Sequence, residues 1–179
     1  KKKKRCPDDY DGGRIERVDL STGKVDRVLD TVGGHPLKGP NDLVFDKAGN
    51  LYSTDHGKTY SRHRDFGGLF FLANGASEAK ELDFHYSSPN GVGLAPDEQT
   101  VFMADTMTGR MWAFDLESPG IIKPASPFNG GRVVATMPGL QYFDSLAMTA
   151  AGNVCVATIL NGGITTITPG GDFHLFFFF

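Results

Sequence analysis

The chain has 179 residues, of which 40% are hydrophobic and 22% charged, and its net charge is −3 at neutral pH. That is enough chain for one globular unit with its own core. The balance lacks the basic excess of a nucleic-acid binder, and no apolar run reaches the roughly 18 residues of a membrane-crossing helix.

In chain order, the head carries a basic run, Lys1 to Lys4 plus Arg5, followed by Cys6; residues 1–11 are expected to form an irregular, non-native flank. Two strands are predicted next, Gly13 to Asp19 and Asp26 to Val32, separated by the turn residues Ser21-Thr22-Gly23-Lys24. Three related stretches then follow: Pro40-Asn41-Asp42-Leu43-Val44-Phe45-Asp46 with Gly49-Asn50-Leu51-Tyr52, Pro89-Asn90-Gly91-Val92-Gly93-Leu94-Ala95-Pro96-Asp97 with Thr100-Val101-Phe102-Met103, and Phe143-Asp144-Ser145-Leu146-Ala147-Met148 with Gly152-Asn153-Val154-Cys155-Val156. Each starts at an Asn or Asp, alternates through a short strand, turns and enters a second strand. The spacing is 49 residues from Asn41 to Asn90 and 54 from Asn90 to Asp144.

A Gly-led third strand succeeds each pair, at Gly68 to Leu72, Gly109 to Phe114 and Gly163 to Ile167. A fourth is predicted at Lys80 to Phe84 and at Arg132 to Thr136. No segment carries a helical period. Short strands repeating about every 50 residues predict an all-β fold, a β-propeller of four-stranded antiparallel blades. The chain then holds the outer half of one blade, two complete blades and three strands of another, with residues 12–174 as the propeller portion. The four terminal phenylalanines have no polar partner and no period, so residues 175–179 are read as a non-native tail.

With the first strand of each blade innermost, Asn41, Asn90 and Asp144 share one face near the central channel. The loop His56 to Gly67, with Tyr60, His63 and Arg64, shares that mouth, whereas the turns Asp46 to Asn50, Pro96 to Thr100 and Thr149 to Asn153 fall on the far face. Amide and carboxylate oxygens converging on a channel suit Ca²⁺, Mg²⁺ or Mn²⁺ better than a thiolate-seeking metal. Asn and Asp also favour turns, so a purely structural cap stays open as the alternative. His56 and Tyr60 stand where a substrate would pass, with an ordinary loop role as the alternative. Asp55 and Asp105 either orient ligands or cap tight connections, and Trp112 is expected in the core. The cysteines Cys6 and Cys155 form no Cys-x-x-Cys pattern; they exclude a zinc knuckle and lean towards a reducing, cytoplasmic compartment.

The Pro-Asn-Asp-Leu-Val-Phe-Asp, Pro-Asn-Gly-Val-Gly-Leu-Ala-Pro-Asp and Asp-Ser-Leu-Ala motifs resemble the senescence-marker-protein/gluconolactonase family, which includes lactonases and regucalcin. The resemblance implies a six-bladed propeller, about three blades of it here, with one divalent cation in the channel: Ca²⁺ first, with Mn²⁺, Mg²⁺ or Zn²⁺ as alternatives. It implies Asn90 and Asp144 as metal ligands, Asp144 also as the catalytic base, and Asn41 as a channel residue that contacts substrate or a metal-bound water. The implied reaction is metal-dependent hydrolysis of a small-molecule lactone. The implied structural partners are the remaining blades or a second copy that closes the ring. Two departures stand out: the family's first-blade Glu ligand has no counterpart, and Gly39 occupies the position at which sugar-lactone members carry Arg. A non-enzymatic binding propeller and a strictosidine-synthase-like propeller are the rival expectations.

Overall fold

The computed structural model describes residue 10 and residues 12–128 and 130–177. The basic run Lys1 to Arg5 and Cys6 lie outside the described residues. Every element among the described residues is a strand. An outer pair, β1 (Ile15–Val18) and β2 (Val25–Leu29), is followed by a small ladder of β3 (Thr31–Val32) and β4 (His35–Pro36). The first full blade is β5 (Pro40–Phe45), β6 (Leu51–Asp55), β7 (Gly67–Leu72) and β8 (Lys80–Tyr86), hydrogen-bonded in that order.

The second blade comprises β9 (Pro89–Leu94), β10 (Thr100–Asp105), β11 (Arg110–Ser118) and β13 (Arg132–Thr136), with β12 (Ile121–Ile122) as a short hairpin on the end of β11. The third is β14 (Phe143–Met148), β15 (Val154–Thr158), β16 (Gly163–Ile167) and β17 (Phe173–Phe177). All pairings are antiparallel. The sequence-based expectation of three strands in the last blade is therefore corrected to four. β17 uses part of the phenylalanine tail, with His174 opposite Thr166 and Phe176 opposite Ile164. An all-apolar run has no alternation to signal a strand, and an outermost strand needs only one hydrogen-bonding neighbour.

The core lies between blades. Tyr52, Leu69, Val92, Met103 and Phe114 fill the layer between the first and second blades. Phe102, Met111, Phe143, Val156 and Ile167 fill the layer between the second and third. Period-2 alternation explains how one strand serves both layers: along β10, Val101 and Met103 face one way and Phe102 and Ala104 the other. Trp112 is in the core, edge-on to Tyr86 with ring centroids 5.1 Å apart.

Repeated turn chemistry closes the far face. Asp46 accepts from Asn50 N–H and Asn50 Nδ2, Thr149 Oγ1 accepts from Asn153 N–H, and Thr168 Oγ1 accepts from Asp172 N–H. The innermost strands β5, β9 and β14 pack side by side. β9, between the other two, is buried along its whole length. On β5 the alternate residues are open, with Leu43 45% and Phe45 59% exposed.

Candidate functional site

All three innermost strands break register at the same place. Pro40 pairs with Asp55 and Leu43 with Ser53, so Asn41 and Asp42 oppose the single residue Thr54. Pro89 pairs with Asp105 and Val92 with Met103, which sets Asn90 and Gly91 against Ala104. Phe143 pairs with Thr158 and Leu146 with Val156, which sets Asp144 and Ser145 against Ala157. Two residues against one is a β-bulge, which bends the strand and re-aims a side chain. The polar residues singled out from the sequence are the first bulged residue in each blade.

Asn90 is the best-anchored of the three and only 5% exposed. Its backbone carbonyl accepts from Thr54 Oγ1 of the preceding blade at 2.6 Å, and its Nδ2 donates to Thr106 Oγ1 of its own blade at 3.0 Å. The remaining atom, Oδ1, is buried with no hydrogen-bond partner among the described residues. Such an orphan costs about 1–3 kcal/mol unless something supplies a donor or a cation. Beside it the second and third blades touch through their backbones. A methyl group on Gly91 would stand 2.8 Å from the Asp144 carbonyl oxygen and 2.6 Å from Leu146 N, so only glycine fits. Asp144 is half-buried, and among the described residues no hydrogen bond or ion pair holds its carboxylate. Asn41 is exposed, and its amide likewise has no partner among the described residues. An amide oxygen and a carboxylate on adjacent innermost strands, neither with a partner among the described residues, suit a hard cation. Among the described residues no three His, Cys, Asp or Glu side chains cluster, so any such cation would draw further oxygens from other sources.

The mouth loop between β6 and β7 is a tethered hairpin with a Thr59–Arg64 bridge. Asp65 Oδ2 accepts from Lys58 N–H and from the Tyr60 hydroxyl, and the Tyr60 ring stacks on His63 at 4.5 Å. Tyr60 is 8% exposed. His56 N–H donates to Gly39 O at 2.9 Å, which ties the loop to the segment leading into Asn41. Burial holds the His56 imidazole below its ordinary range, and the Arg64 and Lys58 charges add to that. This favours the uncharged imidazole at neutral pH, and Nδ1 lies 3.1 Å from Gly57 O.

Asp55 and Asp105 have the capping role that was one of two readings from sequence. Asp55 accepts from the N–H groups of Lys38, Gly39 and Gly57, and Asp105, 2% exposed, accepts from those of Ser87 and Ser88. Sequence reasoning missed Thr106 and Lys58. Thr106 directly follows a strand-ending Asp and had no motif to mark it. Lys58 lies over Gly39: a methyl group there would meet Lys58 Nζ at 3.3 Å. A cleft of about 340 Å³ lies elsewhere, between the outer pair and the first full blade. Val32, Leu37, Leu69 and Phe70 line it, and it includes none of Asn41, His56, Tyr60, Asn90 or Asp144. Val32, Leu37 and Phe70 belong to an apolar cluster between the outer strands and the first full blade.

The profile of the SMP-30/Gluconolactonase/LRE-like region matches residues 11–174. A gluconolactonase of Zymomonas mobilis is 29% identical over 169 residues, which is 88% of this chain and 46% of that protein. Among solved structures, a gluconolactonase of Xanthomonas campestris superposes with a TM-score of 0.73 at 20% identity, covering 92% of this chain and 55% of that one. A calcium-binding protein, regucalcin, of Agrobacterium tumefaciens gives 0.70 at 19% identity, with 91% and 52% covered. The chain thus spans about half the length of the relatives it matches.

Proposed function

The chain belongs to the SMP-30/gluconolactonase/LRE-like family, and from that membership we propose that it carries half of a divalent-cation site at which a lactone is hydrolysed. The observation that carries the proposal is the buried, unpartnered Asn90 Oδ1, one strand away from the unpartnered Asp144 carboxylate. Asn90 and Asp144 would hold the cation, with Ca²⁺ preferred and Mn²⁺, Mg²⁺ or Zn²⁺ as alternatives. When bound, a divalent cation supplies a Lewis acid for the lactone carbonyl and charge to match the developing oxyanion.

The remaining chemistry falls to the chain's own residues. Asp144 takes a proton from the water that attacks the carbonyl carbon, and returns it to the ring oxygen as the ring C–O bond breaks. The product is a hydroxy acid. Asn41 contacts substrate from the neighbouring bulge, while neutral His56 and Tyr60 shape the mouth. The ring is completed by further blades or by a second copy: three and a half blades over 55% of the Xanthomonas chain scale to about six.

A thermal melt of the chain titrated with Ca²⁺, Mn²⁺ and Mg²⁺, alongside Asp144→Ala and a lactone panel, tests the reading. A ligand that binds only the folded state raises Tm with concentration. Wild type should rise with cation and Asp144→Ala should not. A cooperative melt indifferent to every cation would sink the cation site and leave a binding propeller as the better account.

A further inference from the structure

The mouth loop has an unbalanced charge. Its one carboxylate, Asp65, accepts from Lys58 N–H and the Tyr60 hydroxyl; nearby, Asp55 at the end of β6 is held by three backbone N–H groups and Asp105 at the end of β10 by Ser87 and Ser88. Of its cations, Arg64 stands in the field of the Asp105 and Asp65 charges. Arg64 spends its N–H groups on the backbone carbonyls of Asp65 and His56, and no ion pair among the described residues involves Lys58 or Arg64.

Lys58 is also held in place. Its N–H donates to Asp65 Oδ2, and its carbonyl accepts from Asp65 N–H at 2.9 Å. Its stem fills the space left by the missing side chain of Gly39, and its ammonium lies 5.3 Å from the centroid of the Tyr10 ring. Gly39 is two residues before Asn41, so the ammonium stands at the head of the innermost strand. A half-buried, positioned ammonium with no carboxylate partner among the described residues attracts anions.

We infer that Lys58 forms an anion-reading subsite at the mouth, so that the preferred substrates are lactones bearing a second, anionic group such as a carboxylate. The inference rests on the lactone-hydrolase reading for its substrate class, but the subsite can be tested without turnover. Lys58→Met keeps the packing stem and removes the charge, and Lys58→Arg keeps the charge.

The three proteins are first matched for Tm, then titrated with a sugar dicarboxylate and with a neutral polyol, following the εCH₂ NMR signal of residue 58 in the wild type and ligand binding by calorimetry in all three. The dicarboxylate should bind wild type, about tenfold more weakly to Lys58→Met, and with recovery in Lys58→Arg; the polyol should bind none. In turnover, Lys58→Met should raise KM about tenfold for a carboxylated lactone and leave kcat, and KM for a neutral lactone, unchanged. Equal dicarboxylate binding by wild type and Lys58→Met, or none by either, overturns the subsite whether or not lactones are hydrolysed. Charge-dependent binding without turnover of any lactone upholds the subsite and overturns the hydrolase reading instead.

Discussion

Asn41 and Asn90 begin as the same local object. Both follow a proline, both open an innermost strand, and both are the first residue of the same bulge. Yet Asn90 is held by Thr54 from one blade and Thr106 from its own, with a single oxygen left over, while Asn41 is exposed with a bare amide. The difference comes from the neighbours. β9 has β5 on one side and β14 on the other, whereas among the described residues β5 has an innermost-strand neighbour on its β9 side alone. A repeat motif sets the backbone geometry, and flanking blades decide which copies become a site.

The strongest way to break that contrast is to separate the blades beside Asn90. Gly91→Val would drive a side chain into the backbone of Asp144 to Leu146. Overpacking against backbone, which cannot swing aside, should cost about 3 kcal/mol or more and abolish any cation response, read by a melt with and without Ca²⁺. Next in size is Asn90→Leu, which strands the Thr106 hydroxyl and should cost about 1–3 kcal/mol. Asp144→Ala removes a carboxylate that no group among the described residues holds. It should leave the cation-free Tm nearly unchanged and delete the cation-dependent rise.

His56 sharpens the contrast by pH. Burial lowers its folded-state pKa below the ordinary 6.5. Between the two values the unfolded chain binds more protons, so the stabilisation is present above about 6.5 and lost as pH falls through 6.5 towards the folded value. His56→Gln should flatten the fall in Tm over that window. An equal slope in the variant would show that other groups set the acid limb.

Much of this was legible in the sequence, because propeller blades are local. Each strand pairs with the next in the chain, and turn residues such as Asp46 to Asn50 mark the boundaries. The near-50-residue spacing then places Asn41, Asn90 and Asp144 on one face without any long-range information. What stayed hidden depends on contacts between blades or on the absence of alternation. Nothing in Thr54 or Thr106 announces that they grip Asn90 from opposite sides. The bulge leaves no common trace after the polar residue, which is followed by Asp42, Gly91 and Ser145 in the three copies. Lys58 over Gly39 requires the fold of a loop, and β17 is written in a run that reads as a tail.

The smallest effect discriminates best between a shared turn role and a divided one. If Asn41 and Asn90 were both simple caps, replacing either with alanine should lower Tm by similar amounts, because both sit at the same bulge. The environments argue otherwise. The Asn41 amide has no partner among the described residues, so Asn41→Ala removes no hydrogen bond and should shift stability by no more than about 0.5 kcal/mol, the usual range for an exposed substitution. Backbone anchoring of that bulge survives the change, because it comes from Asp42, whose N–H meets Thr54 Oγ1 and whose carboxylate accepts from Val92 N–H across the blade boundary. Any consequence of Asn41→Ala should therefore appear in substrate KM and hardly at all in the melt. A loss of Tm as large as that of Asn90→Ala would mean that the bulge itself needs the amide, and would return Asn41 from the channel lining to the turn.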